Sequence, residues 1–446
     1  MTVPLNSGQV RATTCLATGM LWVAAVLCSR LAGAQAPQGS LADRLKAVQN
    51  GQADGKGPPV LPAWKPVSSG ATAPVIPLVP GLKVVTAISA SLGDYESIKS
   101  IQSVGADVVR LQYSADKPQP KKMTGLLGSG EGGTADPKNE FPDKVECLRL
   151  IDVADLGKAH GYSEMFCENK VEHFTGVTSI SASTEMLNQL RAGQPTEFHF
   201  APDNKFAVFM QLGAQVEHQK SGQPTLTKYA GQMMYSCSLH RVGATDVAVP
   251  VLLNDQRVEL PALHAMCTLE DNEEVHVYYL DQPANPLTLA FQLGPLDSRL
   301  QVIKITVPPP ATAKSAAAVA GEGGSPMEQA LAARQAVTVY GIYFDFGSAT
   351  IKPESEAVLR QIADIMRKYP DWNLGVSGYT DNVGGDKANL ALSQRRAAAV
   401  KDALVTRYQI APGRLATSGY GAALPIESNA TLEGRARNRR VELRRQ

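Results

Sequence analysis

Three consecutive prolines, Pro308-Pro309-Pro310, lead into the Ala- and Gly-rich segment Ala311 to Ser325, and this break constrains the 446-residue chain more than any other feature. Few side chains in such a stretch can pack, so the chain on each side must bury its own core. Extended in the polyproline manner, at about 3.1 Å per residue, the stretch separates two domains by tens of ångströms. The length agrees, because roughly 150 residues per domain gives two or three domains. Hydrophobic residues make up 44% and charged residues 19%, which argues against general disorder and against repeated membrane spans. The net charge of +1 says little about partners, yet it is unevenly spread. From Val337 to the C-terminus, 16 Lys and Arg stand against 11 Asp and Glu.

At the N-terminus a single Arg11 precedes an apolar run from Cys15 to Cys28, and small residues follow at Ala32-Gly33-Ala34. The run is shorter than the roughly 20 residues of a spanning helix, so residues 1–34 read as a signal peptide cleaved after Ala34. No Cys stands at the cleavage point to take a lipid. Export leaves Cys147, Cys167, Cys237 and Cys267, an even number in an oxidising compartment. Three connectivities are open, and pairing neighbours closes the shortest loops. Cys-x-x-Cys does not occur and the seven His are scattered, which gives a metal reading little support.

Residues 35–80, studded with seven prolines from Pro58 to Pro80, read as linker. Lys83 to Ser89 reads as a strand, Asp94 to Val104 as a short helix and Asp107 to Tyr113 as a strand, a candidate βαβ unit. The Gly-rich break Gly125 to Gly133 lacks the Lys-Ser/Thr ending of a phosphate-binding loop. Glu146 to His160, with Gly161 following, and Thr184 to Arg191 read as helices. From Glu197 onward the pattern turns to strands: Phe206 to Leu212, Gln232 to His240, Val247 to Leu253, Val258 to Leu263, Val275 to Leu280, Leu287 to Leu293 and Leu300 to Val307. Recurring turn residues point to a small sandwich or open barrel. The runs lack the regular length and aromatic girdles of an outer-membrane barrel.

Beyond the break, Val337 to Tyr343 reads as a strand and Pro353 to Lys368 as a helix with Val358, Leu359, Ile362, Ile365 and Met366 on one face. Asn373 to Gly378 is a strand, Asn389 to Tyr408 a helix, and Leu415 to Gly419 and Arg440 to Leu443 are further strands. This alternation implies helices packed on a sheet. The expected fold is therefore multidomain α+β: a signal peptide at 1–34, a linker at 35–80, a β-rich middle region at 81–307 with room for two subdomains, a tether at 308–336, and a C-terminal domain at 337–446.

Four ordered blocks mark the last domain: Phe344-Asp345 with Ile351-Lys352-Pro353; Gly378-Tyr379-Thr380-Asp381-x-x-Gly384; Asn389-x-x-Leu392-Ser393-x-x-Arg396-Ala397; and Gly434-Arg435-x-x-Asn438-Arg439-Arg440-Val441-Glu442. Together they resemble the OmpA-like family, shared by the C-terminal part of outer-membrane protein A, the peptidoglycan-associated lipoprotein and the flagellar stator protein MotB. Tyr379 departs from the family's usual His. The resemblance implies a two-layer α/β sandwich that binds the diaminopimelate side of the peptidoglycan stem peptide, whose free end carries an ammonium and a carboxylate. On the family's pattern Asp381 takes the ammonium and Arg396 the carboxylate, for which a planar guanidinium fork is well shaped. The spacing agrees, because Asn389, Ser393 and Arg396 fall at i, i+4 and i+7 on one helix face, beside the loop carrying Thr380 and Asp381. Asn438 and Arg439 either brace the site or touch the ligand. Asp345 either holds a turn or offers its backbone amide. Arg435, Arg437, Arg444 and Arg445 read as a basic surface drawn to anionic wall or lipid.

These readings imply a cell-envelope protein, periplasmic or associated with the outer membrane through partners, that binds peptidoglycan without a cofactor, with no nucleic acid and with an envelope protein as partner of the middle region. Two other functions compete, a peptidoglycan-tethered enzyme or a sensor, each with its activity in 81–307. Ser, His and Asp occur there, but no Gly-x-Ser-x-Gly elbow and no His-Glu-x-x-His helix. A thiol nucleophile built from Cys147 or Cys167 with His160 or His173 is explained more simply by a disulfide.

Overall fold

The computed structural model describes residues 60–68, 73–90, 93–116, 144–163, 167, 169–201, 227–229, 232–270, 272–294, 298–309, 324–345 and 347–446. The signal segment, the Gly-rich break, the strand read at Phe206 to Leu212 and residues 310–323 of the tether lie outside them.

An antiparallel meander begins the described fold: β1 (Lys83–Ala90), β2 (Gly93–Val104), β3 (Val108–Asp116) and β4 (Lys144–Asp152). Here two sequence expectations fail. Asp94 to Val104 is a strand, so there is no βαβ unit. The spacing of Tyr95, Ile98 and Ile101 imitates a helix, but pairing to β1 and β3 imposes period two. That period buries Tyr95, Ser97, Lys99 and Ile101, and the polar Ser97 and Lys99 hide the alternation in the sequence. The helix expected over Glu146 to His160 is instead β4 followed by one short helix, α1 (Val153–Lys158). The misleading residue is Arg149, which sits on the buried face between Cys147 and Ile151 and ion-pairs with Glu172 at 2.9 Å, both side chains almost wholly buried.

The chain continues through β5 (Gly161–Ser163), β6 (Val171–His173), β7 (Val177–Thr178), α2 (Thr184–Arg191), β8 (Thr196–Ala201), β9 (Thr227–Tyr229) and β10 (Gln232–Arg241). Helix α2 matches its expected span, opened by the Ser183 side chain accepting from the Met186 N–H. Five strands follow, β11 (Val247–Leu253), β12 (Gln256–Thr268), β13 (Glu274–Leu280), β14 (Thr288–Leu293) and β15 (Ser298–Thr306). They close a circuit: β11, β12, β13, β14 and β15 pair antiparallel in turn, and β15 returns to β11 in parallel. The sandwich or open barrel expected here is a closed five-stranded circuit with the meander joined to its rim through β1 and β15. The Asn254-Asp255 turn that opens β11 into β12 places both residues at positive φ, as a tight hairpin requires.

Cys147 is bonded to Cys167 and Cys237 to Cys267, with Cα separations of 5.3 and 6.0 Å, so each cysteine pairs with its sequence neighbour. The expected linker does not hang free where it is described. Ile76 is buried in the main core, and its N–H donates to Gln282 Oε1 at 2.9 Å. Trp64 packs edge-on against Tyr278. Apolar residues between the prolines let an extended strand-like run pack without a helix or a ladder of its own.

In the C-terminal part, α3 (Pro326–Ala332) lies inside the stretch read as tether and buries Leu331 in the C-terminal core. Then come β16 (Val337–Val339), a 3-10 turn at Pro353–Ser355 running into α4 (Glu356–Lys368), β17 (Leu374–Gly378), α5 (Asp386–Tyr408), β18 (Leu415–Gly419), α6 (Leu432–Asn438) and β19 (Val441–Arg445). The sheet runs β16-β19-β17-β18, with β17 and β18 parallel and the other pairs antiparallel. Leu359, Ile362, Ile365 and Met366 of α4 meet Val400 and Leu404 of α5 and Leu374 and Val376 of β17 in one core. Those α4 residues are the ones the helical period singled out.

Glu172→Ala should remove the ion-pair partner of the buried Arg149 guanidinium, and breaking such a pair costs about 3–5 kcal/mol. Chemical denaturation followed by circular dichroism should show the midpoint shifted down accordingly. Peptide mapping of unreduced protein should recover the two linked pairs, Cys147 with Cys167 and Cys237 with Cys267, and no crossed pair.

Candidate functional site

The site forms where β17 ends and α5 begins. Gly378 closes β17 against α5 so tightly that a Cβ there would lie 2.2 Å from the Ser393 carbonyl oxygen. This contact sets the height of the following loop, Tyr379 to Gly385, on the helix. Gly384 turns the loop with φ +91°, a region that side chains with a Cβ rarely adopt. Asn389 then fastens it, donating from Nδ2 to the carbonyls of Asp381 (3.3 Å) and Val383 (3.1 Å). Ser393 accepts the Gly421 N–H at 2.8 Å, tying in the loop after β18. The face expected from spacing is the buried face of α5: Asn389, Ser393 and Arg396 are buried, while Arg395 is exposed.

Arg396 donates its Nε–H to the Ser348 carbonyl at 3.0 Å and lies over the Phe344 ring, 4.9 Å from its centre. Its Nη groups have no protein acceptor among the described residues. Burial pushes this guanidinium down to about 10, the charge of Arg439 acts the same way, and Glu96 and Asp381 oppose both. It remains a cation at neutral pH. Asp381 accepts the Val383 N–H at 3.1 Å and pairs with Arg439 Nη1 at 2.7 Å. For Arg439, burial works against the charge, but Glu96 and Asp381 outweigh it and hold the guanidinium above its ordinary range. Thr380 is buried, and its hydroxyl has no hydrogen-bond partner among the described residues.

Phe344, Thr380, Asp381, Asn389, Arg396 and Arg439 share the wall of one cavity of about 370 Å³. Of the residues singled out from sequence, Asp345, Thr380, Asp381, Asn389, Arg396 and Arg439 are thus brought together on the cavity wall, and Asn438 is outside its lining. Asn438 braces: its Oδ1 accepts the N–H groups of Ile426 (2.8 Å) and Glu427 (3.1 Å), and it is wholly buried. Asp345 holds a turn, its N–H donating to the Thr350 carbonyl at 3.0 Å, so that amide is engaged. Tyr379, the departure from the family pattern, stacks on Tyr420, lies 3.7 Å from the Arg440 guanidinium and donates to Glu442.

The basic surface expected from the C-terminal arginines is corrected. Arg435 is buried and paired with Asp94 at 2.7 Å, and Arg437 pairs with Glu427 at 2.7 Å. Arg445 stacks over Trp372, and Arg444 is exposed. Sequence reasoning misses Asp94 and Glu96 in the cavity lining, because the spacing of Asp94 to Val104 predicts a helix. The signal was present in the strand period, which sets Asp94, Glu96 and Ile98 opposite the core-facing Tyr95, Ser97 and Lys99.

A mixed sheet with two long helices, closed over an Arg- and Asp-lined cavity, is an OmpA-type module. Residues 343–439 match the OmpA family. Outer membrane porin F of Pseudomonas aeruginosa is 48% identical over 101 residues, 23% of this chain and 29% of that protein. The peptidoglycan-binding protein ArfA of Mycobacterium tuberculosis is 44% identical over 108 residues, 24% of this chain and 33% of that protein. This chain therefore spans about a third of the length of these relatives. The solved peptidoglycan-associated lipoprotein of Burkholderia pseudomallei aligns at 31% identity over 24% of this chain and 88% of its own, with a TM-score of 0.23.

Gly378→Ala should cost about 1–3 kcal/mol by overpacking, since the contacted atom is backbone and cannot rotate aside. A drop in the thermal midpoint, with the far-ultraviolet circular dichroism retained, is the expected result.

Proposed function

We propose that this chain is a cell-envelope protein whose residues 337–446, a two-layer α/β sandwich in a multidomain chain, hold the diaminopimelate-containing stem peptide of peptidoglycan non-covalently. One observation carries the reading: a buried cation with unengaged Nη donors, Arg396, and a carboxylate, Asp381, line the same cavity. A carbon bearing both an ammonium and a carboxylate needs such a pair. Arg396 takes the carboxylate through its two Nη donors. Asp381 takes the ammonium, Thr380 adds a hydroxyl, and Arg439 keeps Asp381 ionised. Asn389, Asn438 and Asp345 hold the loops. The likeness to the peptidoglycan-binding protein ArfA supports the same ligand class.

On this reading the protein is not an enzyme and uses no cofactor. It is exported by a signal peptide cleaved after Ala34 and works in the periplasm or against the outer membrane. Residues 81–307 are moored to the wall and present a surface to another envelope protein.

Co-sedimentation of the full chain with diaminopimelate-type sacculi tests this. Asp381→Ala and Arg396→Ala each delete a charge-assisted contact of about 1.5–3 kcal/mol and should weaken binding about ten- to a hundredfold. Arg396→Lys should also bind poorly, because it keeps the charge and loses the fork. Arg395→Ala should bind as wild type. Folded Asp381→Ala and Arg396→Ala proteins that sediment like wild type would mean that the pocket is wrongly placed.

A further inference from the structure

The cavity is not walled by the C-terminal module alone. Asp94, Glu96 and Ile98 of β2 and Lys304 of β15 are among the residues that line it. The contact that brings them there is built in three ways. Leu61, Ala87, Ile303, Leu432 and Ala436 form an apolar cluster between the two parts of the chain. Arg435 pairs with Asp94 at 2.7 Å, with side-chain exposures of only 4% and 12%. The Val60 N–H donates to the Ala430 carbonyl at 3.0 Å while Pro66 bridges to Val247, so the segment before β1 straps one part to the other.

Within this contact, Arg439 is shared. Its Nη1 donates to Asp381, while its Nε, at 3.2 Å, and its Nη2 both donate to Glu96 Oε1. One guanidinium therefore spans the two carboxylates and fixes them side by side. Glu96 Oε2 accepts no hydrogen bond from the described residues. The charges of the pocket follow from this. Without Glu96, Arg396 and Arg439 face Asp381 alone, and that carboxylate is already matched by Arg439. That trio carries one excess positive charge, and its single carboxylate is already engaged by Arg439. With Glu96, the two guanidinium groups of Arg396 and Arg439 stand with two carboxylates, Asp381 and Glu96, on the same cavity wall.

We propose that Glu96, supplied by the N-terminal part of the chain, is a ligand-contacting residue of the pocket and sets its specificity, taking the ligand's ammonium together with Asp381. This rests on the proposed function. It makes the pocket selective for a zwitterionic carbon over one bearing a carboxylate alone.

The test uses the full chain and isothermal titration calorimetry with two synthetic stem tripeptides. One ends in diaminopimelate. The other ends in 2-aminopimelate, which keeps the distal carboxylate and lacks the distal ammonium. Wild type should prefer the first by about tenfold, the size of one charge-assisted contact. Glu96→Gln, which keeps the shape and removes the charge, should lose affinity for the diaminopimelate peptide and keep its affinity for the other, so that the preference disappears. Glu96→Asp should retain part of the preference, and it carries the test if Glu96→Gln does not fold. Arg395→Ala, at an exposed position of α5 outside the cavity lining, should leave the ratio between the peptides unchanged.

Unchanged binding of both peptides to folded Glu96→Gln overturns the proposal. So does tighter binding of both, which would make Glu96 a carboxylate that competes with the ligand for Arg439. In either case an intact dependence on Arg396 leaves the proposed function standing. Failure of wild type to bind either peptide removes both readings.

Discussion

A guanidinium withdrawn from water must find an acceptor, and the long-range organisation of this chain follows from where its buried arginines find theirs. Arg149 turns to Glu172 and ties β6 to β4. Arg435 and Arg439 reach out of the C-terminal module to Asp94 and Glu96, more than 300 residues earlier in the chain. Arg396, on the wall of a cavity, donates only its Nε–H to a described residue, the Ser348 carbonyl. A buried cation left with unengaged donors at a cavity wall is the feature from which the ligand site is argued.

The same requirement explains how a module of an established family is fitted into a longer chain. The OmpA family covers residues 343–439, but its loops are held from outside that span. The segment after Val60 straps on to Ala430, and β1 and β15 receive α6 through Ala87 and Ile303. The proline break therefore does not keep the two sides apart. Residues 60–66 and the outward face of β2 join what residues 308–325 were expected to separate.

Much of the C-terminal fold was legible from its sequence because its signals are local. The apolar period of α4, the long helix α5 and the ordered motif blocks each depend on near neighbours, and the observed spans agree to within a few residues. The closed circuit of β11 to β15 was legible as strands and not as a circuit, since turn residues mark where a strand ends and not which edge it meets. The even cysteine count implied two bridges, while the fold decided that neighbours pair. The cavity-lining residues of the C-terminal blocks were legible through the family pattern; Glu96, which lines the same cavity, was not, because it lies outside the family span.

The sequence by itself determined the elements whose periodicity is carried by apolar residues, and it determined which charged residue types gather at the end of β17 and on α5. Only the tertiary structure decided the conformation of Asp94 to Val104 and Glu146 to Asp152, where Ser97, Lys99 and Arg149 occupy core-facing positions and conceal the strand period. It alone decided that Arg435 and Arg439 are buried and paired, where a count of charges reads them as basic surface. The physical reason is common to both. Whether a polar side chain faces water or the interior depends on a partner that lies far away in sequence, and that partner is fixed only when the chain has folded.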